Sequence, residues 1–360
     1  MNLIKENKKA FIYLLLFSII SYISIFSASA YLSPSLGKLY YKQIYWYLIG
    51  IIGITLISKQ KKENIYKYSF IFYLIINILL ILVLIFGKEY NGTKAWFNIG
   101  QLSFQPTEFM KIALILFNSV IINSYTKKNE KKIIIYVIIS TLIPSILTFL
   151  EPDTGAILSY FVISITMLYI SGINKKWFIY LISIAALLII SFMLLYFYNQ
   201  EFFINTLGTN MFYRIDRIIN WTNKEGMQLK NSLIAISSSG IFGHGFNNTP
   251  IYFPEAGTDF IFTVLASNFG LIGSAILLIL LFLFDSNIIK NAKSVNKQDK
   301  CIIMGIISLF AFQQILNIAM TIGLLPIVGI TLPLISYGGS STLSYLLLVG
   351  IIIKIKKAYK

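Results

Sequence analysis

One cysteine and one histidine are all this 360-residue chain has of the thiol and imidazole groups that usually bind zinc. Cys301 alone cannot close an internal disulfide, and His244 alone cannot build a zinc site. Charge is scarce as well. Only 12% of residues are charged, about half the share of a soluble domain. Arginine is nearly missing: of thirty basic residues, only Arg214 and Arg217 are arginine. Fourteen acids leave a formal net charge of +16. The lysines sit in short loops and form no clustered soluble face, so nucleic-acid binding is not expected. Those loops are also too short for a nucleotide-binding fold. Neither an internal repeat nor a low-complexity linker divides the chain, so residues 1–360 read as one domain.

What the chain does have is apolar length. It is 57% hydrophobic, and apolar runs near 20 residues recur, as in a polytopic membrane protein. The first run, Phe11–Tyr31, is too long for the core of a signal peptide and many runs follow it. Ten spans are predicted: 11–31, 43–58, 68–86, 106–124, 133–149, 154–171, 177–197, 259–284, 302–325 and 339–353. The expected fold is therefore all-α. Twenty-one of the basic residues fall on one alternate set of loops, eight on the other, and Lys111 within a span. The positive-inside rule puts the lysine-rich loops and both termini in the cytoplasm, and the long loop 198–258 outside. Nine of the fourteen acids fall on or near the outer side, so any chemistry is expected there, without ATP.

Several residues stand out against this background. In "QPTEFMKIALILF" (105–117), Pro106 suits a first helical turn. Glu108 and Lys111, three apart, share a helical face. An ionisable residue at the depth of Lys111 marks a functional or paired site. Its partner is either Glu108 or, across the bundle, Asp153 of "EPDTGA" (151–156); the second pairing is the expected one. Asp153 could instead cap the following helix. In "NMFYRIDRIINW" (210–221) the spacing gives an amphipathic helix lying in the interface, with Arg214 and Arg217 on one face. Arginine's planar fork grips phosphate with two bonds, so two arginines in a chain of lysines point to a diphosphate ligand, or to lipid headgroups. "NSLIAISSSGIFGHGF" (231–246) is either a backbone cradle for an anion or a packed re-entrant turn. In "FPEAGTDFIFTVLA" (253–266) an acid, Asp259, opens an apolar run. It could serve the helix dipole beside a capping Thr258. As a partly desolvated carboxylate it could instead take a proton from a substrate hydroxyl. "TLPLISYGGSS" (331–341) reads as a rigid turn.

Taken in order, "NGTKAWFNIGQLSFQPTEFMK", "EPDTG", "NSLIAISSSGIFGHG", "PEAGTDFIF" and "GLLPIVGITLPLISYGGSS" resemble the SEDS family of bacterial cell-wall proteins (RodA, FtsW, SpoVE) over nearly the whole chain. The last motif leans towards RodA. The resemblance implies a peptidoglycan glycosyltransferase of the bacterial cytoplasmic membrane. Such an enzyme polymerises lipid II on the outer face, beside a class B penicillin-binding protein. It implies that Asp259 is the essential acid of the large outer loop, and that Glu108, Lys111 and Asp153 line the central cavity. Arg214 and Arg217 are then candidates for the diphosphate. No cofactor or metal site is readable, although a divalent cation could share the diphosphate's charge. The chain departs from the family at Ala95 (often Arg), Gly257 (usually His), Ser267 and Asn268 (often Glu-Glu), and Asn231 (commonly Gln). These departures keep a non-catalytic scaffold as an alternative. A flippase for the same lipid is the other.

Overall fold

The computed structural model describes residues 6–29, 39–90, 93–100, 102–124, 126–198, 201–202, 221, 226–293 and 295–359. Each predicted span coincides with a long helix: α1 (Lys8–Ser29), α2 (Leu39–Lys59), α4 (Ser69–Phe86), α5 (Pro106–Ser124), α6 (Glu130–Leu150), α7 (Thr154–Ile170), α8 (Lys175–Tyr198), α10 (Ile261–Asn291), α11 (Lys297–Thr321) and α12 (Gly339–Lys357). Two short helices, α3 (Lys62–Lys67) and α9 (Met227–Ser237), lie between them. By length and composition, seven of the described helices can cross a membrane, and α7 is a shorter apolar helix. The fold is a polytopic α-helical membrane protein.

Burial explains where polar residues are tolerated. In α1 and α4 only 33% of the apolar window is buried, and large side chains such as Leu15, Ile78 and Ile85 face outwards. In α5 the share is 78%. Helices α4, α6, α7, α11 and α12 surround α5. It can therefore carry Thr107, Glu108, Lys111, Asn118 and Ser119, all buried in protein rather than lipid.

The bundle has two chemically distinct ends. At one, the fully buried Asp299 accepts from Lys62 Nζ (2.8 Å), Tyr359 OH (2.6 Å) and Tyr66 OH. This contact draws α3, the start of α11 and the C-terminal residues together, at the lysine-rich end. At the other end lie α9, residues 239–260 and an irregular strap, residues 322–338.

Two features add detail to this helical frame. First, a three-stranded antiparallel sheet precedes α5: β1 (Lys88–Tyr90), β2 (Thr93–Ile99) and β3 (Leu102–Phe104). Tyr90 pairs with Thr93, and Ile99 with Leu102. Both connections are two residues long, and the first reads Asn91-Gly92, the strongest short hairpin signal. At the second, Gly100 has φ +63°.

Second, α10 is broken at Gly270, whose φ of 62° and ψ of −154° belong to glycine alone. That is roughly 14 Å along the helix from Ile261 at 1.5 Å per residue. The break frees backbone groups that cannot be left bare at membrane depth. Residues 240–245 satisfy them: Leu271 N–H donates to Gly240 O (3.1 Å) and Ile272 N–H to Ile241 O (3.2 Å). In return, His244 N–H donates to Ser267 O (2.9 Å) and Gly245 N–H to Asn268 O (3.1 Å). The serine-glycine stretch is thus the re-entrant turn. The N–H groups of Gly243, His244 and Gly245 are spent on backbone carbonyls, so they do not form an anion cradle.

Candidate active site

Asp259 sits one residue before Phe260, the N-cap of α10, and is half-buried. It does not cap the helix, and neither does Thr258. The Thr258 hydroxyl donates to Glu255 Oε2 at 2.7 Å. Instead, the turn is held by its carbonyls, three in succession. Gly257 O accepts from Tyr337 N–H (2.8 Å), Thr258 O from Ser336 Oγ (2.6 Å) and Asp259 O from Asn317 Nδ2 (2.8 Å). The first two donors belong to the strap and the third to α11. Ser336 is fixed in turn by the buried Gln43 of α2, whose Nε2 donates to Ser336 O (3.2 Å), with Thr342 Oγ1 at 3.1 Å and Ser21 Oγ at 3.2 Å.

This backbone clamp leaves the carboxylate free. Among the described residues, no hydrogen bond or ion pair reaches the Asp259 side chain. Its near neighbour is Gly329 of the strap: a Cβ there would stand 3.5 Å from Asp259 Oδ2. Burial, then the charges of Glu255 and Asp153, push its pKa up to about 7. A carboxyl group near 7 divides its time between acid and base at neutral pH.

Asp153 lies across the strap from Asp259. It caps α7, accepting from Ala156 N–H at 2.9 Å, and also meets Gln105 Nε2 (3.2 Å) and Thr107 Oγ1 (3.5 Å). The strap packs directly on this corner, since a Cβ at Gly155 would stand 2.6 Å from Ile330 Cγ1. Burial raises the Asp153 pKa, opposed by the Ala156 bond and by the Lys111 charge.

Lys111 takes the other partner. Its Nζ lies 2.7 Å from Glu108 Oε1, and Lys111 is 2% exposed. The expected direct bond to Asp153 is not formed. At i,i+3 Glu108 is already in reach, and Asp153 is turned to its own helix. Lys111 also lies over the Tyr345 ring (5.8 Å), and Ser344 Oγ donates to Glu108 Oε2 (3.3 Å). Tyr345 OH meets Thr331 Oγ1 of the strap at 3.2 Å. Asp259, Asp153 and the Glu108–Lys111 pair therefore line one polar region, bordered by the strap. Arg214 and Arg217 lie outside the described residues. Trp221, from the same segment, donates its indole N–H to Gly323 O of the strap (3.0 Å). Among the described residues, no group of three or more His, Cys, Asp or Glu side chains could hold a metal ion.

Three residues of this region were not singled out from the sequence as candidates. Glu151 is fully buried, and neither carboxyl oxygen has a hydrogen-bond partner among the described residues. Burial and the charge of Asp153 push it up to about 9, so it is neutral at pH 7. Gln43 and Asn317 were visible as polar residues in apolar runs, but nothing in the sequence pointed to their targets. The departures, for their part, are built into the packing. Ala95 is buried in β2. Ser267 meets His244 Nδ1 through its carbonyl (3.0 Å) and hydroxyl (3.2 Å). Asn268 bonds Ser27 (2.5 Å) and Thr249 (3.0 Å).

Residues 7–360 match the model of the FtsW/RodA/SpoVE family, described as cell cycle proteins. The chain belongs to this family. A relative from Wigglesworthia glossinidia brevipalpis, named probable peptidoglycan glycosyltransferase FtsW, is 33% identical across 97% of this chain and 92% of its own. Among solved structures, a chain of a peptidoglycan synthase complex superposes with a TM-score of 0.82 at 23% identity, covering 98% of this chain and 97% of that one. RodA of Thermus thermophilus gives 0.70, also at 23%, covering 98% and 96%. These two share the FtsW/RodA/SpoVE fold. A RodA is thus among the structural neighbours, while the sequence relative carries the FtsW name.

Proposed function

We infer that the chain is a peptidoglycan glycosyltransferase that polymerises lipid II at the outer face of the bacterial cytoplasmic membrane, with Asp259 as general base. One observation carries this reading: a carboxylate with no partner among the described residues, its backbone clamped and its pKa near neutrality, stands where an apolar helix begins. Lipid II keeps its undecaprenyl tail in the bilayer and its sugars just outside, at that same level. A sugar hydroxyl oxygen attacks the anomeric carbon of the lipid-linked donor. The hydroxyl proton passes to Asp259, the new glycosidic C–O bond forms, and the C–O bond to undecaprenyl diphosphate breaks. The diphosphate leaves with the bonding electrons, and its charge falls to Arg214 and Arg217. Asp153, backed by the buried Glu108–Lys111 pair, forms the polar side of the sugar site. A divalent cation sharing the diphosphate's charge is compatible with this scheme. The assembly of the structural neighbour supports a class B penicillin-binding protein as the partner that cross-links the product. The family supports a role in elongation, division or sporulation.

A flippase would need intramembrane charges that trade partners as it moves. Lys111 and Glu108 instead close on each other within one helix. A scaffold would have no use for a free carboxylate near pKa 7. Purified protein in proteoliposomes, given labelled lipid II, separates the three. A glycan ladder supports the polymerase. Translocation without a ladder, or neither, overturns it.

A further inference from the structure

We propose that Asn317 is a positioning residue for the Asp259 base, setting by one side-chain nitrogen the gap in which the carboxylate works. The proposal rests on the reading of Asp259 as base. Asn317 lies in α11 and is fully buried. Its Nδ2 stands 2.8 Å from Asp259 O and 2.7 Å from Ile330 O. Two carbonyls around one atom require a donor with two hydrogens, which fixes the orientation of the amide. Its Oδ1 has no partner among the described residues. The site therefore uses Asn317 as a double donor, and neither a carboxylate nor a hydrocarbon of the same shape could replace it.

Both bonds go to the walls of the gap. Gly257 O and Thr258 O are held by the strap, but the carbonyl of the base itself is held by Asn317. Ile330 is the residue next to Gly329, which faces Asp259 Oδ2, and it packs on Gly155, two residues from Asp153. One nitrogen thus ties the Asp259 carbonyl directly to the strap residue beside Gly329, the residue that faces the carboxylate. The charged groups acting on Asp259 are Glu255 from its own turn and Asp153 from α7. No cation forms an ion pair with it among the described residues. Its protonation therefore depends on spacing and burial, to which the Asn317 bridge contributes.

The test compares Asn317→Leu, which keeps the bulk and loses both donors, with Asn317→Gln, which keeps them. For purified protein polymerising lipid II, Asn317→Leu should lower kcat roughly ten- to hundredfold with KM little changed, as expected for a misplaced catalytic group. It should also move the acid-limb midpoint of the pH–rate profile, and Asn317→Gln should recover part of both. An unmoved midpoint, whatever happens to kcat or to the melting temperature, overturns the proposal and leaves Asn317 a structural residue. Should Asn317→Leu fail to fold, Asn317→Ser, with one donor, must show the same shift at smaller size; no shift is again refutation. Infrared titration of the Asp259 carboxyl, taken as the difference from Asp259→Asn, reads the midpoint without polymerisation. A chain that makes no polymer therefore sinks the functional reading while the positioning claim is still decided.

Discussion

Lys111 Nζ stands 2.7 Å from Glu108 Oε1, one helical turn away on the same buried face of α5. The pair neutralises itself within one helix, and Asp153 feels the lysine only as a field across the bundle. Removing Lys111 strands Glu108 as a buried, unpaired acid. Lys111→Ala should cost about 3–5 kcal/mol. In a double-mutant cycle read by detergent melting, Lys111 and Glu108 should be strongly non-additive and Lys111 and Asp153 only weakly so. The reverse ranking would contradict the assigned pair.

The break in α10 gives a second expectation. Gly243 and Gly270 cross backbone to backbone. A Cβ on Gly243 would stand 2.3 Å from Asn268 O, and one on Gly270 would stand 2.4 Å from Gly243 N, both at positive φ. Alanine at either should cost about 2–5 kcal/mol from backbone strain and overpacking together. Alanine at Gly240, also at positive φ but with open space around its Cβ position, should cost less. Melting curves of the three variants give the order directly.

Glu151 links burial to pH. Its folded pKa near 9 lies far above the ordinary value. Between about pH 4.3 and 9 the unfolded chain has lost this proton and the folded chain keeps it. The folded state binds more protons there, so this group's contribution to stability falls as pH rises. The slope is about 1.4 kcal/mol per pH unit, and the stabilisation is full below the unfolded pKa. Glu151→Gln, which mimics the neutral acid, should remove that slope. Relative to wild type, the variant should gain stability steadily from pH 5 to pH 8. Parallel stability–pH curves would show that Glu151 is ionised in the fold.

The spans and the lysine asymmetry were legible because bilayer thickness and loop charge act on composition directly. Lys111, Asp153 and Asp259 stood out as candidates for a related reason: an ionisable group within or at the edge of an apolar run is costly and therefore conspicuous. Their partners were not. Glu108 and Asp153 were both candidates for Lys111, and the choice depends on Asp153 capping its own helix, a matter of tertiary geometry. The break at Gly270 was hidden because a single glycine in "SNFGLIG" looks like any other glycine in an apolar run. It becomes a break only when residues 240–245 arrive to take up its bonds. The hairpins before α5 had a signal in Asn91-Gly92, but strands of three and seven residues carry too little alternation to stand out beside apolar spans.

Asp259 carries the central claim, and its substitution by asparagine is the direct test. The folded carboxyl near 7 is raised by burial, so the active, ionised base appears as pH rises. Polymerisation of lipid II by wild type should climb through a midpoint near pH 7. Asp259→Asn keeps the shape and the backbone clamp but cannot take the proton. It should fold and bind lipid II. At pH 8 it should melt no lower than wild type, because a partly desolvated charge with no ion-pair partner among the described residues has been removed. Yet its rate should fall by about 10²–10⁴. A purified, stably folded Asp259→Asn protein that makes glycan at the wild-type rate would contradict the account.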